Sequence, residues 1–251
     1  MLPLSPALDS QLDQHPYPLL FAALGGAHLE GYPSPDSDYE VRGMHLLPLA
    51  ELLGLDAPPT TYQALSTAGV VQIDLKTHDA VAYLGLLLKR NGQVLEQVSS
   101  PWVLQSTPWH EELRTLAPDC ITRQHAHYYL SAARSHWQRF LWETPHRLGP
   151  LLHSYRLLLT GVHLMQSGQV EADLNTLQAI FHLPYLPELI AQKRAGSEAD
   201  AALELSIDFH TAETGRLFNA LEQARDASFL PGSTLCKPAL NDLLLRLRGV
   251  V

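Results

Sequence analysis

Three carboxylates are placed to do chemistry. Asp38 and Glu40 stand one residue apart in SDYEVRG, and Asp74 sits in the alternating segment VVQIDLKTH. If SDYEVRG is a strand, residues i and i+2 share a face about 6 to 7 Å apart, which sends Tyr39 and Val41 to the other side and into a core. The same alternation puts Val71, Ile73 and Leu75 on one face of the second segment and Asp74 on its polar face. Paired carboxylates at such a spacing can share divalent cations, because hard ions take oxygen ligands. Sequence spacing alone also suits a plainer reading, acids on the solvated face of an edge strand, and does not bring the three together.

The acids belong to a charge asymmetry. Gly25 to Gly43 hold four acids and one arginine, and residues 1–120 hold fourteen Asp or Glu against five Lys or Arg, which accounts for the whole net charge of −9. An acidic first half argues against a broad nucleic-acid groove there, since phosphate contacts dominate such binding. The longest apolar runs, LLFAAL and YLGLLL, fall well short of a membrane span. The start, MLPLSPALDSQLDQ, has no basic region before an apolar one, so a cytoplasmic protein is expected. Cys120 and Cys236 lie far apart and read as buried filler in a reducing compartment rather than as a disulfide. His125 and His127, two apart on a helix, do not share a face and give no zinc pair.

The elements that must position the acids read as two halves. PYPLLFAALGGA is an apolar element, taken as a helix, ending at a Gly-Gly turn. YPSPDS is a loop, DYEVRGMHLLPL a strand, HLLPLAELLGL a loop with one helical turn, and DAPPTT too proline-rich for regular structure. VVQIDLKTHD is a second strand, followed by one or two helices broken at Asn91-Gly92 and capped near Thr77 or Asp79. From about Pro118 every segment has helical spacing, including the run from Pro187 to Arg225. This predicts an α+β fold: a domain over residues 1–115 with a mixed sheet, then an all-α domain over 116–251.

With those residues in view, HLEGYPSPDSDYEVRGMHLLPL after Gly25-Gly26 resembles the signature of the DNA polymerase β-type nucleotidyltransferase superfamily. With VQIDLKTHD, LLLKRNGQVLEQVSSP and HSYRLLLTGVHLMQSGQ in order, the chain is similar to the RNA-repair-associated RlaP and YcgL-like group from about Leu20 to Ala191. The resemblance implies that Asp38 and Glu40 bind two magnesium or manganese ions with an NTP, and that Asp74 is the third carboxylate, near the attacking hydroxyl. Gly25 and Gly26 would offer amides to the triphosphate. Arg42, on the face of the acids, would touch phosphate or hold the carboxylates. The expected reaction moves an NMP to an acceptor hydroxyl, with an RNA or tRNA end as first candidate. Two departures stand out: Gly26 replaces the usual serine, and Glu40 the usual aspartate. They keep open an alternative, a weakened nucleotide-binding or regulatory module such as a toxin-antitoxin partner.

The helical half offers a second wall. His153, Arg156, Thr160 and His163 fall at i, i+3, i+7 and i+10, one helical face. Arg156 is expected on the triphosphate, and Tyr155-Arg156 matches a Tyr-Arg pair of the resembling family. Arg123, His127 and Arg134 are expected on the same cleft, with Tyr128 and Trp137 as core aromatics. Glu30 and Asp36 read as loop solvation, and Glu96 has no assigned role.

Overall fold

The computed structural model describes residues 6–35, 37–56, 58–68, 71–196 and 206–250. Its centre is a five-stranded sheet in the order β3-β4-β2-β1-β5, made of β1 (Leu19–Leu24), β2 (Tyr39–His45), β3 (Thr61–Ala68), β4 (Val71–Asp79) and β5 (Val103–Ser106). The first helices are α1 (Pro6–Asp13), α2 (Gly26–Glu30), α3 (Leu49–Leu52) and α4 (Ala80–Leu88). Then come α5 (Gly92–Ser99), α6 (Pro108–Leu116), α7 (His125–Trp142), α8 (Leu148–Ser167), α9 (Leu174–Phe181), α10 (Leu186–Arg194), α11 (Ile207–Ala227) and α12 (Lys237–Leu247). Sheet and helical layer together give the expected α+β class. Within the long run read as helical, residues 197–205 lie outside the described residues, as does Asp36.

The apolar element before Gly25 is a strand, not a helix. LLFAAL is β1, and every residue of it is buried. Phe21 and Ala23 enter the larger core with the helices, whereas Ala22 and Leu24 meet Leu8 and Leu12 of α1, together with Val41, Ile73 and Leu75, on the opposite face. A strand covered on both sides has no polar residue to reveal a period of two, so it reads as a continuous apolar run. β3 and β5 escaped the sequence reading for the opposite reason. They lie at the two edges of the sheet, and TYQALSTA and VLQS carry too few apolar residues to show a buried face.

Register decides what the sheet can present. β2 pairs with β1 antiparallel and with β4 parallel, so Glu40 lies opposite Asp74 and Arg42 opposite Lys76. Val41, Ile73 and Leu75 fill the α1 side, which leaves Glu40, Arg42 and Asp74 on the helical side. The large core is continuous from Leu20 to Leu247 and draws residues from both halves of the chain.

Two tertiary ties complete the frame. Asp79 caps α4 through Val81 N–H (3.0 Å), accepts from Leu47 N–H (2.9 Å) and receives Arg248 on both oxygens at 2.7 Å. Asp79 rather than Thr77 is therefore the cap. Cys120 and Cys236, expected as unlinked filler, form a disulfide that ties the 3₁₀ turn Ala117–Cys120 to the start of α12. A separation of 116 residues hid the pairing from local reading. Among the described residues no helix is long and apolar enough to cross a membrane.

Gly43 sets how closely β1 and β2 can approach. A Cβ there would meet Phe21 carbonyl oxygen at 2.2 Å and Ala22 Cα at 3.1 Å, both backbone atoms with no rotamer to yield. Gly43→Ala is therefore expected to cost about 2 kcal/mol or more, in the range of overpacking penalties. Urea denaturation should show the midpoint lowered, and an unchanged midpoint would contradict the register described.

Candidate active site

A cavity of about 610 Å³ opens between the polar face of the sheet and the helical layer. Gly25, Gly26 and Glu30 reach it from the turn after β1 and from α2, and Asp38, Glu40 and Arg42 from the start of β2. Gln93, Glu96 and Gln97 reach it from α5, Tyr128, His136 and Arg139 from α7, and Arg147, His153 and Arg156 from α8 and the residue before it. The volume falls within the roughly 300–1,000 Å³ of small-molecule sites.

Glu40 and Asp74 meet through Arg42. Its Nη2 donates to Glu40 Oε2 and to Asp74 Oδ2, each at 2.7 Å, and its Nη1 donates to the Asp74 carbonyl at 2.7 Å. A single cationic nitrogen thus holds carboxylates from adjacent parallel strands. Burial raises the Glu40 carboxyl above its ordinary value; Arg42 opposes that, while the negative charges of Glu30 and Asp74 reinforce it. Asp38, just before the strand, is exposed at the cavity wall. Of the two roles open to Arg42, holding the carboxylates is the one this arrangement displays.

The turn after β1 differs from the expectation. Gly25 N–H donates to the Glu40 carbonyl at 2.8 Å, so that amide is committed to the sheet edge rather than offered to a ligand. Gly26 has φ +56°, and a Cβ there would lie 2.4 Å from Glu40 Oε1 and 2.6 Å from Glu40 Cδ. The two departures from the family pattern are therefore one feature. The extra methylene of Glu40 carries its carboxylate into the space a serine side chain would need at position 26.

The floor of the cavity is an ion network. Arg156, 3% exposed on α8, donates from Nη1 to Glu96 Oε1 at 2.7 Å and from Nη2 to Glu30 Oε1 at 2.9 Å. His153 Nδ1 lies 3.0 Å from Glu30 Oε2, which also accepts from the Tyr32 hydroxyl. Burial alone would raise the Glu30 carboxyl. The charges of His153 and Arg156 and the bonds from His153 and Tyr32 more than offset it and hold that carboxyl well below the usual range. Glu96 goes the other way: burial dominates, and Arg156 only partly opposes it. Arg156, expected on the triphosphate, thus spends both terminal nitrogens on protein carboxylates. Glu30, read as loop solvation, is buried and paired.

Other expected residues fall elsewhere. Tyr155 is fully buried with its hydroxyl 2.8 Å from His210 Nδ1, away from the cavity lining. Thr160 donates to the Glu171 carbonyl at 2.7 Å. His127 and Arg134 line a different hollow, between α7 and α11. The face of α7 that lines the cavity carries Tyr128, Ala132, His136 and Arg139 at i, i+4, i+8 and i+11. That spacing was present in the sequence, but α7 is polar on two faces and periodicity did not choose between them. The rings of His136 and His153 are 4.0 Å apart, centroid to centroid. Burial first, then repulsion from His153, brings His136 down to about 4.

With this geometry established, relatives give it a class. Residues 4–246 match the model of a family described as the RNA repair pathway DNA polymerase beta family, RlaP. The chain belongs to that family and is nucleotidyltransferase-like. It is also 24% identical over 161 residues to an uncharacterised protein of Methanocaldococcus jannaschii, a match spanning 64% of this chain and 66%, just under two thirds, of that protein. Among solved structures, a nucleotidyltransferase-like protein from Exiguobacterium sibiricum overlaps 98% of this chain and 78% of its own, at 12% identity and a TM-score of 0.34. The family assignment rests on the first of these matches.

Two substitutions test the site's construction. Arg156→Met strands two buried carboxylates and is expected to cost about 3–5 kcal/mol; Arg156→Met with Glu30→Gln and Glu96→Gln should recover much of that in urea melts. Gly26→Ser should be less damaging when combined with Glu40→Asp, with a coupling of about 1 kcal/mol or more in a double-mutant cycle. Strict additivity would show that the two positions do not share space.

Proposed function

We propose that the cavity is the active site of a nucleotidyltransferase that moves an NMP from an NTP to an acceptor hydroxyl and releases pyrophosphate. The observation that carries this reading is the parallel pairing of β2 and β4. It sets Glu40 against Asp74, with Asp38 on the rim of the same cavity. The donor set is all oxygen, as magnesium or manganese requires, and the Arg42 guanidinium already stands between two of the carboxylates as a cation. Among the described residues no group of three such side chains gathers to hold a metal ion, so Asp38, Glu40 and Asp74 would be its holders only with Arg42 displaced from between the last two. When bound, such ions supply charge stabilisation to the attacking and leaving oxygens of an in-line displacement.

The chain's own groups have separable parts in this reading. Asp38 and Glu40 orient the triphosphate end, and Asp74, which accepts from Arg42 and Gln63 outside the cavity lining, would take the proton of the acceptor hydroxyl. For Asp74 to act so, Arg42 turns away from it. The buried Arg156 network fixes α2, α5 and α8 around the nucleotide. On this reading residues 1–115 form the catalytic domain and 116–251 a helical domain that closes the cleft. An RNA end, tRNA included, is the acceptor we favour on the family's association with RNA repair.

Arg42 also favours a second reading, a module that binds nucleotide without transfer, because its guanidinium already bridges Glu40 and Asp74 where transfer would need a metal ion. Incubation with labelled NTPs, magnesium or manganese, and total RNA decides between them. The transferase reading expects label in RNA, reduced at least 100-fold in Asp38→Ala and Asp74→Ala. Transfer that persists in both variants would sink the mechanism; NTP binding without transfer in the wild type would support the module.

A further inference from the structure

One buried amide of the cavity has half of its bonding left over. Gln97, on α5, is 6% exposed and lines the cavity. Its Oε1 accepts from the Tyr83 hydroxyl at 3.3 Å, and the same hydroxyl donates to the Val94 carbonyl at 3.1 Å. Tyr83 is fully buried on α4, so the oxygen end of the amide is held in the core. The nitrogen end is different: Nε2 has no hydrogen-bond partner among the described residues and is not closed off from solvent. The open side of Gln97 is the cavity. A donor at the end of a fixed amide discriminates between ligands, because it rewards an acceptor and penalises a group that cannot take its hydrogen.

The surroundings suit a flat, uncharged group. Gln93, four residues earlier on α5, lines the same cavity, while Glu96 between them is bonded to Arg156. Tyr128 of α7 stands beside the glutamines: a Cβ on Gly92 would lie 2.6 Å from its Cε1, so the ring rests on the first turn of α5. Burial pushes the Tyr128 hydroxyl up to about 12, and a bond with the Gln93 backbone opposes that rise. Leu29, Ala132 and Leu157 add apolar lining. None of these groups is charged, whereas Asp38, Glu40 and Arg42 bring charge to the cavity from β2 and the residue before it. Amides next to an aromatic ring are how proteins recognise bases, the amide reading an edge and the ring packing on the plane.

We propose that Gln97, held by Tyr83, reads the base of the nucleotide, with Gln93 and Tyr128 completing a base pocket between α5 and α7. The inference deepens the proposed function and rests on its placing a nucleotide in this cavity, though not on transfer. Nε2 selects a base that offers it a carbonyl or ring-nitrogen acceptor. A ribose hydroxyl would be the competing acceptor, and it is common to all four nucleotides.

Calorimetric titration with ATP, CTP, GTP and UTP, each with manganese and without an acceptor, tests the pocket. The wild type is expected to bind its preferred NTP about tenfold more tightly than the weakest, roughly the worth of one hydrogen bond. Gln97→Met, which keeps the shape and loses the donor, should bring all four to within about threefold of one another. Tyr83→Phe, which frees the amide from the core side, should narrow the preference less and guards against a misfolded Gln97 variant. Gln138→Met, in the hollow on another face of α7, is the control and should leave the ranking unchanged. A loss equal across the four NTPs would assign Gln97 to the ribose or to the fold and overturn the proposal. So would a wild type without preference, or a ranking that Gln97→Met leaves intact, although NTP binding itself would then keep the nucleotide reading. A ranking that depends on Gln97, without label transfer to RNA, would sink the transferase reading and leave the base pocket standing.

Discussion

Arg156 is the tie on which the cavity depends. Three charged side chains from three separate helices meet where water is largely excluded: Glu30 of α2, Glu96 of α5 and Arg156 of α8. A buried guanidinium pays heavily for lost hydration unless its hydrogen bonds are satisfied, and a buried carboxylate does likewise. Each of the three therefore restricts where the other two can go. The result fixes the turn after β1 against the helical layer, and with it the distance between the acid-bearing strand and the wall facing it. His153 and Tyr32 add bonds to Glu30, which explains why its proton is so much harder to add than that of Glu96, although the two share one arginine.

A similar logic operates one layer away in the sheet. Glu40 and Asp74 on adjacent strands would repel at the distance their register sets, and Arg42 relieves that repulsion. Part of the charge is offset locally by this one side chain, which bonds both carboxylates and the Asp74 carbonyl. A cation of the chain's own thus stands where the proposed chemistry places a metal. The position of Glu40 is further limited by the close approach of Gly26, which keeps the carboxylate against the turn that follows β1.

Much of the architecture was legible. The strands β2 and β4, the break at Asn91-Gly92, the cap at Asp79 and the helical second half all follow from alternation, capping chemistry and helical spacing. β1 was misread because burial on both faces erases the alternation that marks a strand, and β3 and β5 were missed because edge strands rely on backbone pairing more than on apolar pattern. The site was legible in part. Asp38, Glu40 and Arg42 line the cavity, but Asp74 and Tyr155 do not, and Arg139 was passed over because α7 offered two polar faces.

The sequence by itself determined which residues share a face, where helices start, and that acids concentrate in the first half, because these depend on neighbours a few positions away. It also carried the family, through the order of its motifs. Only the tertiary structure decided that Glu40 lies opposite Asp74, that Arg156 is consumed by Glu30 and Glu96, that Cys120 meets Cys236, and that Glu40 occupies the space a serine would need at Gly26. Those are matches between residues 14 to 126 positions apart. Charge and volume at one position constrain such a distant partner only after strand register and helix packing have brought the two within contact.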